Sequence, residues 1–257
     1  MTRARAQRTL VAVAAVPLLG GLVVGCQSSD GSTDTTLTIL AASSLTESFD
    51  DLAATFEDQH PGTKVEISYG SSATLATQVV EGAPADIIAT ASPSSMQVVV
   101  DASSNAKPPV TFAINSVAVA LPADNPAGLT SIADLQGKGV KVATCVESAP
   151  CGAAATDFFD KAGLDVTPVT MEVDVKSVLG KVVTGEVDAG VVYVTDIVAA
   201  GPDVTSLTVP KGDVVTTDYL IAPIVDSSEA ELADQFIALV QSADGKQVLQ
   251  KAGFQLP

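Results

Sequence analysis

The 257-residue chain has no tryptophan, a single histidine and three cysteines, and only 13 lysines and arginines stand against 30 aspartates and glutamates. Each shortage excludes something. With His60 as the sole imidazole, a hydrolase built on Ser44 or Ser72 has no suitably placed base, and no Gly-x-Ser-x-Gly elbow is present. The net charge of −17 repels nucleic acid. It also means that an anionic ligand cannot be held by general attraction, so local dipoles would have to hold it. Beyond the first 25 residues no apolar run is long enough to span a bilayer.

Those first residues are themselves distinct. Arg3, Arg5 and Arg8 precede an apolar stretch over 10–19, and Val23-Val24-Gly25-Cys26 closes it. This is a secretory signal, and its end resembles a bacterial lipobox with cleavage before Cys26. That resemblance implies lipidation of Cys26 and tethering to the outer face of a membrane. Loss of the three arginines moves the net charge from −17 to −20. Residues 26–36 are polar and read as a flexible tether, and the fold is expected to begin at Leu37. Cys145 and Cys151 remain, six apart. Outside the cytoplasm such a pair is expected to close a small loop as a disulfide. A metal-binding pair is the competing reading, although no nearby histidine completes a ligand set.

The stretch around Ser44 organises the remainder. An apolar run over 37–42 reads as a buried strand, and Leu45, Phe49, Leu52 and Phe56 then recur at helical spacing. Ser44 and Glu47 have the spacing of a capping box, which places a helix start here. A strand emptying into a helix N-terminus offers free N–H groups and the positive end of a dipole. The plainer reading is that Ser44 only caps its helix. Three further turns share the pattern: 71–74 after a strand over 65–69, Cys151-Gly152 after a strand over 140–143, and Asp174-Val175 after a strand over 167–172, with Asp174 as N-cap. A buried strand over 190–194 carries Tyr193 near its end, which alone reads as a core tyrosine. His60-Pro61-Gly62 breaks the chain, so His60 is expected in an exposed loop. Strands alternating with helices imply an α/β fold with mostly parallel sheets.

The order of these stretches resembles a known family. Ala41-Ala42-Ser43-Ser44-Leu45, Tyr69-Gly70-Ser71-Ser72-Ala73-Thr74-Leu75 and Glu81-Gly82-Ala83-Pro84-Ala85-Asp86 are similar to the first-lobe motifs of bacterial molybdate-binding proteins, the solute receptors of ABC importers. Pro150-Cys151-Gly152, Val173-Asp174-Val175 and Gly190-Val191-Val192-Tyr193-Val194-Thr195-Asp196 resemble the second-lobe motifs, and Gly253-Phe254 the C-terminal ending.

The resemblance implies a two-lobed periplasmic-binding-protein type II fold. Each lobe would be a mixed, mostly parallel sheet flanked by helices, lobe one over 37–116 plus 218–257 and lobe two over 117–217. Two crossovers, near 116–118 and 217–219, would join them. It further implies a monomeric receptor, not an enzyme, that needs no cofactor. Molybdate or tungstate would sit between the lobes, held through its oxygens without direct metal ligands, and pass to a membrane permease. A receptor of the same fold for sulfate or another small oxyanion is the alternative.

Carried over residue by residue, the contacts would come from Ser44 (hydroxyl and N–H), Ser72 and Ala73 in lobe one. In lobe two they would come from the N–H groups of Cys151 and Val175 and from the Tyr193 phenol. Where the family often has a serine before the Thr-Leu pair, this chain has Ala73, so a second lobe-one hydroxyl would have to come from Ser72. Such a set supplies donors only, which suits a tetrahedral oxyanion that carries no proton. Hydrogen phosphate, whose proton would meet no acceptor, is disfavoured.

Overall fold

The structure, a computed structural model, describes residues 35–257. The expected signal sequence (1–25), Cys26 and most of the expected tether lie outside the described residues. Strand β1 (Thr35–Ala42) starts two residues before the expected point. Its first residue is drawn into the sheet by a hydrogen bond from the Thr35 N–H to the Gly62 carbonyl.

Among the described residues nine strands form one mixed sheet in the order β2-β1-β3-β9-β4-β7-β5-β6, with β8 also on β4. These are β2 (Thr63–Gly70), β3 (Ile87–Thr90), β4 (Val110–Pro122), β5 (Val142–Cys145), β6 (Thr170–Glu172), β7 (Ala189–Tyr193), β8 (Val204–Leu207) and β9 (Thr216–Pro223). Parallel pairing is confined to the flanks: β1 with β2 and β3, and β5 with β6 and β7. Around β4 and β9 every pairing is antiparallel. The apolar strands β3 and β7 are buried along their whole length, as sheet strands covered on both faces must be.

Strand β4 explains how the sheet divides. Its first part, up to Ser116, pairs with β9, and from Val117 onward it pairs with β7 and β8. The apolar cores divide at the same point. Val117, Val119, Phe158, Val178, Val191 and Tyr193 share one cluster, formed with α4 (Pro150–Ala162) and α5 (Val175–Val183). Before that point, Leu37, Ile39, Phe49, Phe56 and Phe112 pack with Tyr219, Phe236 and Phe254. That cluster lies under α1 (Thr46–Gln59), α7 (Ala230–Gln241) and α8 (Ala243–Lys251). On the opposite face of the same strands, Leu40, Ile88 and Ala222 pack against Leu75 and Val79 of α2 (Ser72–Val80) and Met96 and Val99 of α3 (Pro93–Asp101). One sheet thus holds two separately cored halves, and β4 and β9 run between them.

Two expectations need correction. His60 is not an exposed loop residue: it ends α1, half-buried, with its ring stacked 3.9 Å from that of Phe56 and Nε2 2.7 Å from Gln235 Oε1. The residues after Tyr193 form a further helix, α6 (Val194–Ala200). Their apolar character disguises it as an extension of β7.

Candidate functional site

In each half, strands end at one edge and hand over to helices there, the position where open α/β sheets bind ligands. β1 runs into a 3-10 turn over Ser43–Leu45 and then α1, and β2 runs through Ser71 into α2. In the other half, β5 leads into α4, and β6 through Asp174 into α5. Ser43, Ser44, Ser71 and Ser72 from the first half line one cleft with Cys151, Asp174 and Val175 from the second. The two walls stand close together, and the space left between them for water-sized molecules is only about 10 Å³.

The helix starts facing it are under-capped. Neither the 3-10 turn, α1, α2 nor α4 receives a side-chain cap. In α5 Asp174 caps only the Ser177 N–H, at 2.9 Å. In α4 the Gly152 and Ala153 N–H groups both return to the Ala149 carbonyl, and Pro150 has no N–H, which leaves that of Cys151. First-turn N–H groups without intrahelical acceptors therefore converge from several directions. The Cys145–Cys151 disulfide is formed and pins the start of α4 to the end of β5. Gly152 is required beside it, because a Cβ there would stand 2.0 Å from the Val146 carbonyl oxygen.

The capping box expected from Ser44 and Glu47 is absent. The Ser44 hydroxyl pairs instead with the Tyr219 hydroxyl at 2.6 Å. Glu47 binds the Lys176 ammonium, with Nζ 2.7 and 2.8 Å from its two carboxylate oxygens. A partner 175 residues away in sequence outcompetes the local N–H because β9 brings Tyr219 under the turn. Ser72 is also committed, accepting the Ala91 N–H at 2.9 Å, which leaves its own proton free. Ala73 is half-buried and does not line the cleft, although its N–H lies in the first turn of α2.

Tyr193 is buried, and its hydroxyl has no hydrogen-bond partner among the described residues. It does not line the cleft itself, but its ring meets that of Tyr219 edge-on at 6.3 Å. Burial pushes the phenol well above its ordinary range, with Tyr219 and the Asp196 carboxylate adding to the effect. Tyr193 is therefore a neutral donor at any physiological pH, and unpaired buried donors are rare enough to need a reason.

Behind it, the fully buried Asp196 accepts the Tyr193 N–H at 2.9 Å through Oδ2. Its Oδ1 lies 3.5 Å from Lys176 Nζ, an ion-pair contact too long for a good hydrogen bond. Burial raises the Asp196 pKa to about 6, against the pull of Lys176 and the Tyr193 N–H.

Of the expected residues, Ser44, Ser72, Cys151 and Val175 are brought to one cleft, while Tyr193 and Ala73 do not line it. Tyr219, Asn115 and the Glu47–Lys176 pair are not picked out by sequence reasoning. A signal for Asn115 exists: it is the only amide within the apolar stretch over 112–122, and a buried amide must find partners. The set can donate hydrogen bonds to an anion's oxygens from several sides, and among the described residues no lysine or arginine lines the cleft.

Residues 37–255 match a family of bacterial extracellular solute-binding proteins. The chain is 36% identical over 247 residues to the molybdate-binding protein ModA of Mycobacterium tuberculosis, covering 93% of this chain and 95% of that one. It is 31% identical to YvgL of Bacillus subtilis, whose name describes an ABC transporter substrate-binding lipoprotein, covering 91% and 93% of the two chains. Among solved structures, the periplasmic molybdate-binding protein of Azotobacter vinelandii superposes with a TM-score of 0.73 at 21% identity, covering 86% of this chain and 99% of that one. The sulfate-binding protein SubI of Mycobacterium tuberculosis has the same TM-score at 19% identity, covering 86% and 87%.

Proposed function

The chain belongs to the bacterial extracellular solute-binding proteins, and from that premise we propose that it captures molybdate, with tungstate as an equivalent ligand, and delivers it to the permease of an ABC importer. It is a receptor of the two-lobed binding-protein fold and not an enzyme. Its place is outside the cytoplasm. The observation that carries the reading is the convergence of uncapped helix starts from both halves on a single cleft that no lysine or arginine lines among the described residues.

The halves act as lobes, 37–116 plus 218–257 and 117–217, closing on the anion about β4 and β9. The first lobe contributes the Ser44 hydroxyl and N–H, the Ser72 hydroxyl and the Ala73 N–H. The second contributes the N–H groups of Cys151 and Val175 and the phenol of Tyr193. Neutral donors at helix ends stabilise a dianion without a buried countercharge, and charge-assisted hydrogen bonds are the strong ones. The unpartnered Tyr193 hydroxyl supports its role, since a donor held without an acceptor is ready for one that arrives with the ligand. Cys26 is the lipidated residue that anchors a monomeric receptor to the membrane, a reading supported by the lipoprotein name of YvgL.

Sulfate has the same charge and shape, and the sulfate-binding likeness is as close in fold. Titration calorimetry and thermal unfolding with molybdate, tungstate, sulfate and phosphate separate the ligands. Molybdate at a hundred times its Kd stabilises by about 2.7 kcal/mol through mass action. A shift with sulfate and none with molybdate would overturn the assignment.

A further inference from the structure

Four buried polar side chains, of which Ser44 lines the cleft, form one connected set of hydrogen bonds. Asn115 Nδ2 is 2.9 Å from Thr195 Oγ1 and 3.3 Å from the Tyr219 hydroxyl, which is 2.6 Å from Ser44 Oγ. All four are at most 4% exposed, and Tyr219 is fully buried. They come from separate parts of the fold: Asn115 from β4, Thr195 from α6, Tyr219 from β9 and Ser44 from the turn after β1.

The direction of each hydrogen bond follows from what the groups can do. The Asn115 Oδ1 accepts the Ser116 N–H at 2.9 Å, so the amide cannot be flipped without setting two donors against each other. Its NH₂ group therefore faces Thr195 and Tyr219, and it can only donate. The Tyr219 hydroxyl then has two neighbours, one of which accepts nothing. Its proton has a single acceptor, Ser44 Oγ. The reverse order, with Ser44 donating, would strand a phenolic proton in the interior, at the full cost of an unmade buried hydrogen bond. With Tyr219 donating, the Ser44 proton is released from internal duty.

We propose that Asn115 and Tyr219 are positioning residues that orient Ser44 as a donor toward the oxyanion. They do not touch the ligand. They set the polarity of the group that does, so that Ser44 meets the anion with a proton and not with a lone pair. Burial raises the Tyr219 phenol above its ordinary range, so it stays protonated and able to donate. The inference rests on the assignment of Ser44 as a molybdate contact.

A double-mutant cycle on the full mature protein tests it, read by molybdate calorimetry. Tyr219→Phe keeps the ring that packs against Phe254 and Phe112 and removes only the hydroxyl. It is expected to weaken molybdate about tenfold, the order of one hydrogen bond to a charged group, and Ser44→Ala about tenfold to a hundredfold. The double variant should bind no more weakly than Ser44→Ala, because Tyr219 acts only through Ser44. A purely structural role for Tyr219 would persist in the Ser44→Ala background, so multiplying penalties overturn the proposal, as does an unchanged Kd for Tyr219→Phe.

Should Tyr219→Phe fold poorly, proton NMR of the wild type tests the same relay. The Tyr219 hydroxyl proton is expected to exchange slowly and to lie close to the Ser44 methylene protons, and exchange at the bulk rate overturns the relay. A wild-type protein that binds no molybdate would overturn the functional reading, and this inference with it. Wild-type binding with an indifferent Tyr219→Phe overturns the relay alone.

Discussion

Lys176 and Glu47 are joined at 2.7 Å between the first turns of two helices that belong to different halves of the sheet, and the same ammonium reaches 3.5 Å toward the buried Asp196. The pair ties α1 to α5 beside the cleft, so it is made only when the halves are together. Exposed ion pairs contribute little to stability, so Glu47→Gln should lower it by less than about 1 kcal/mol, whereas Lys176→Met also takes the cation from the buried Asp196 and should cost more. Their effect should appear in release of the ligand. Molybdate dissociation, followed by stopped-flow displacement, is expected to speed up by as much as about fivefold in either variant, and less at high salt. Unchanged dissociation would show that closure does not use the pair.

Tyr193→Phe separates binding from stability in opposite directions. The wild-type hydroxyl is a buried donor without a partner among the described residues, so its removal should leave the ligand-free protein as stable or more stable by up to about 1 kcal/mol. Molybdate affinity should fall about tenfold, because a charge-assisted bond is lost. Thermal unfolding without ligand and calorimetry with it check the two halves of this statement.

Asp196 makes a signed prediction about pH. Its pKa stands near 6 in the folded protein, above the ordinary value of 3.8, so the folded state holds the extra proton between those values. Its contribution to stability is full below about pH 4 and is lost as pH rises through about 6, by at most about 3 kcal/mol. Glu57, Asp134 and Glu186 are held below their ordinary range, by the Val65 N–H, the Thr130 N–H and Lys181 respectively, and act the other way. The clean measurement is therefore the difference between wild type and Asp196→Asn in urea unfolding from about pH 4.5 to about pH 7. The variant should gain relative to wild type as pH rises.

The disulfide should matter for binding as well as for stability. Closing so short a loop contributes about 2 kcal/mol by restricting the unfolded chain. It also holds the Cys151 N–H at the cleft edge, so paired Cys145→Ser and Cys151→Ser changes, or full reduction, should lower both Tm and molybdate affinity. A lower Tm with unchanged affinity would confine the disulfide to a structural role.

Much of the architecture is legible in residue order. The alternation of apolar runs with helical spacing places the strand-to-helix turns, and those at Ser44, Ser72, Cys151 and Val175 do meet at one cleft. Local chemistry also identifies Asp174 as an N-cap correctly, because its partner, the Ser177 N–H, lies only three residues on. The misreadings share a cause. Ser44, Glu47 and His60 are judged by their neighbours in sequence, whereas their partners are Tyr219, Lys176 and Gln235. Hydroxyl and charged groups go to the best-placed partner, and sequence spacing reveals only the local candidates.

The sequence alone was enough for the α/β fold class and for the strand-to-helix turns at Ser44, Ser72, Cys151 and Val175, because these depend on residue types and short spacings. The direction in which Ser44 offers its proton, the isolation of the Tyr193 hydroxyl and the bridging of the two halves by Lys176 depend on groups brought together from several distant segments. These are fixed by how β4 and β9 cross between the halves, since that crossing sets Asn115 and Tyr219 behind the turn that carries Ser44. Burial then makes each unsatisfied proton costly, and so leaves one arrangement of the hydrogen bonds.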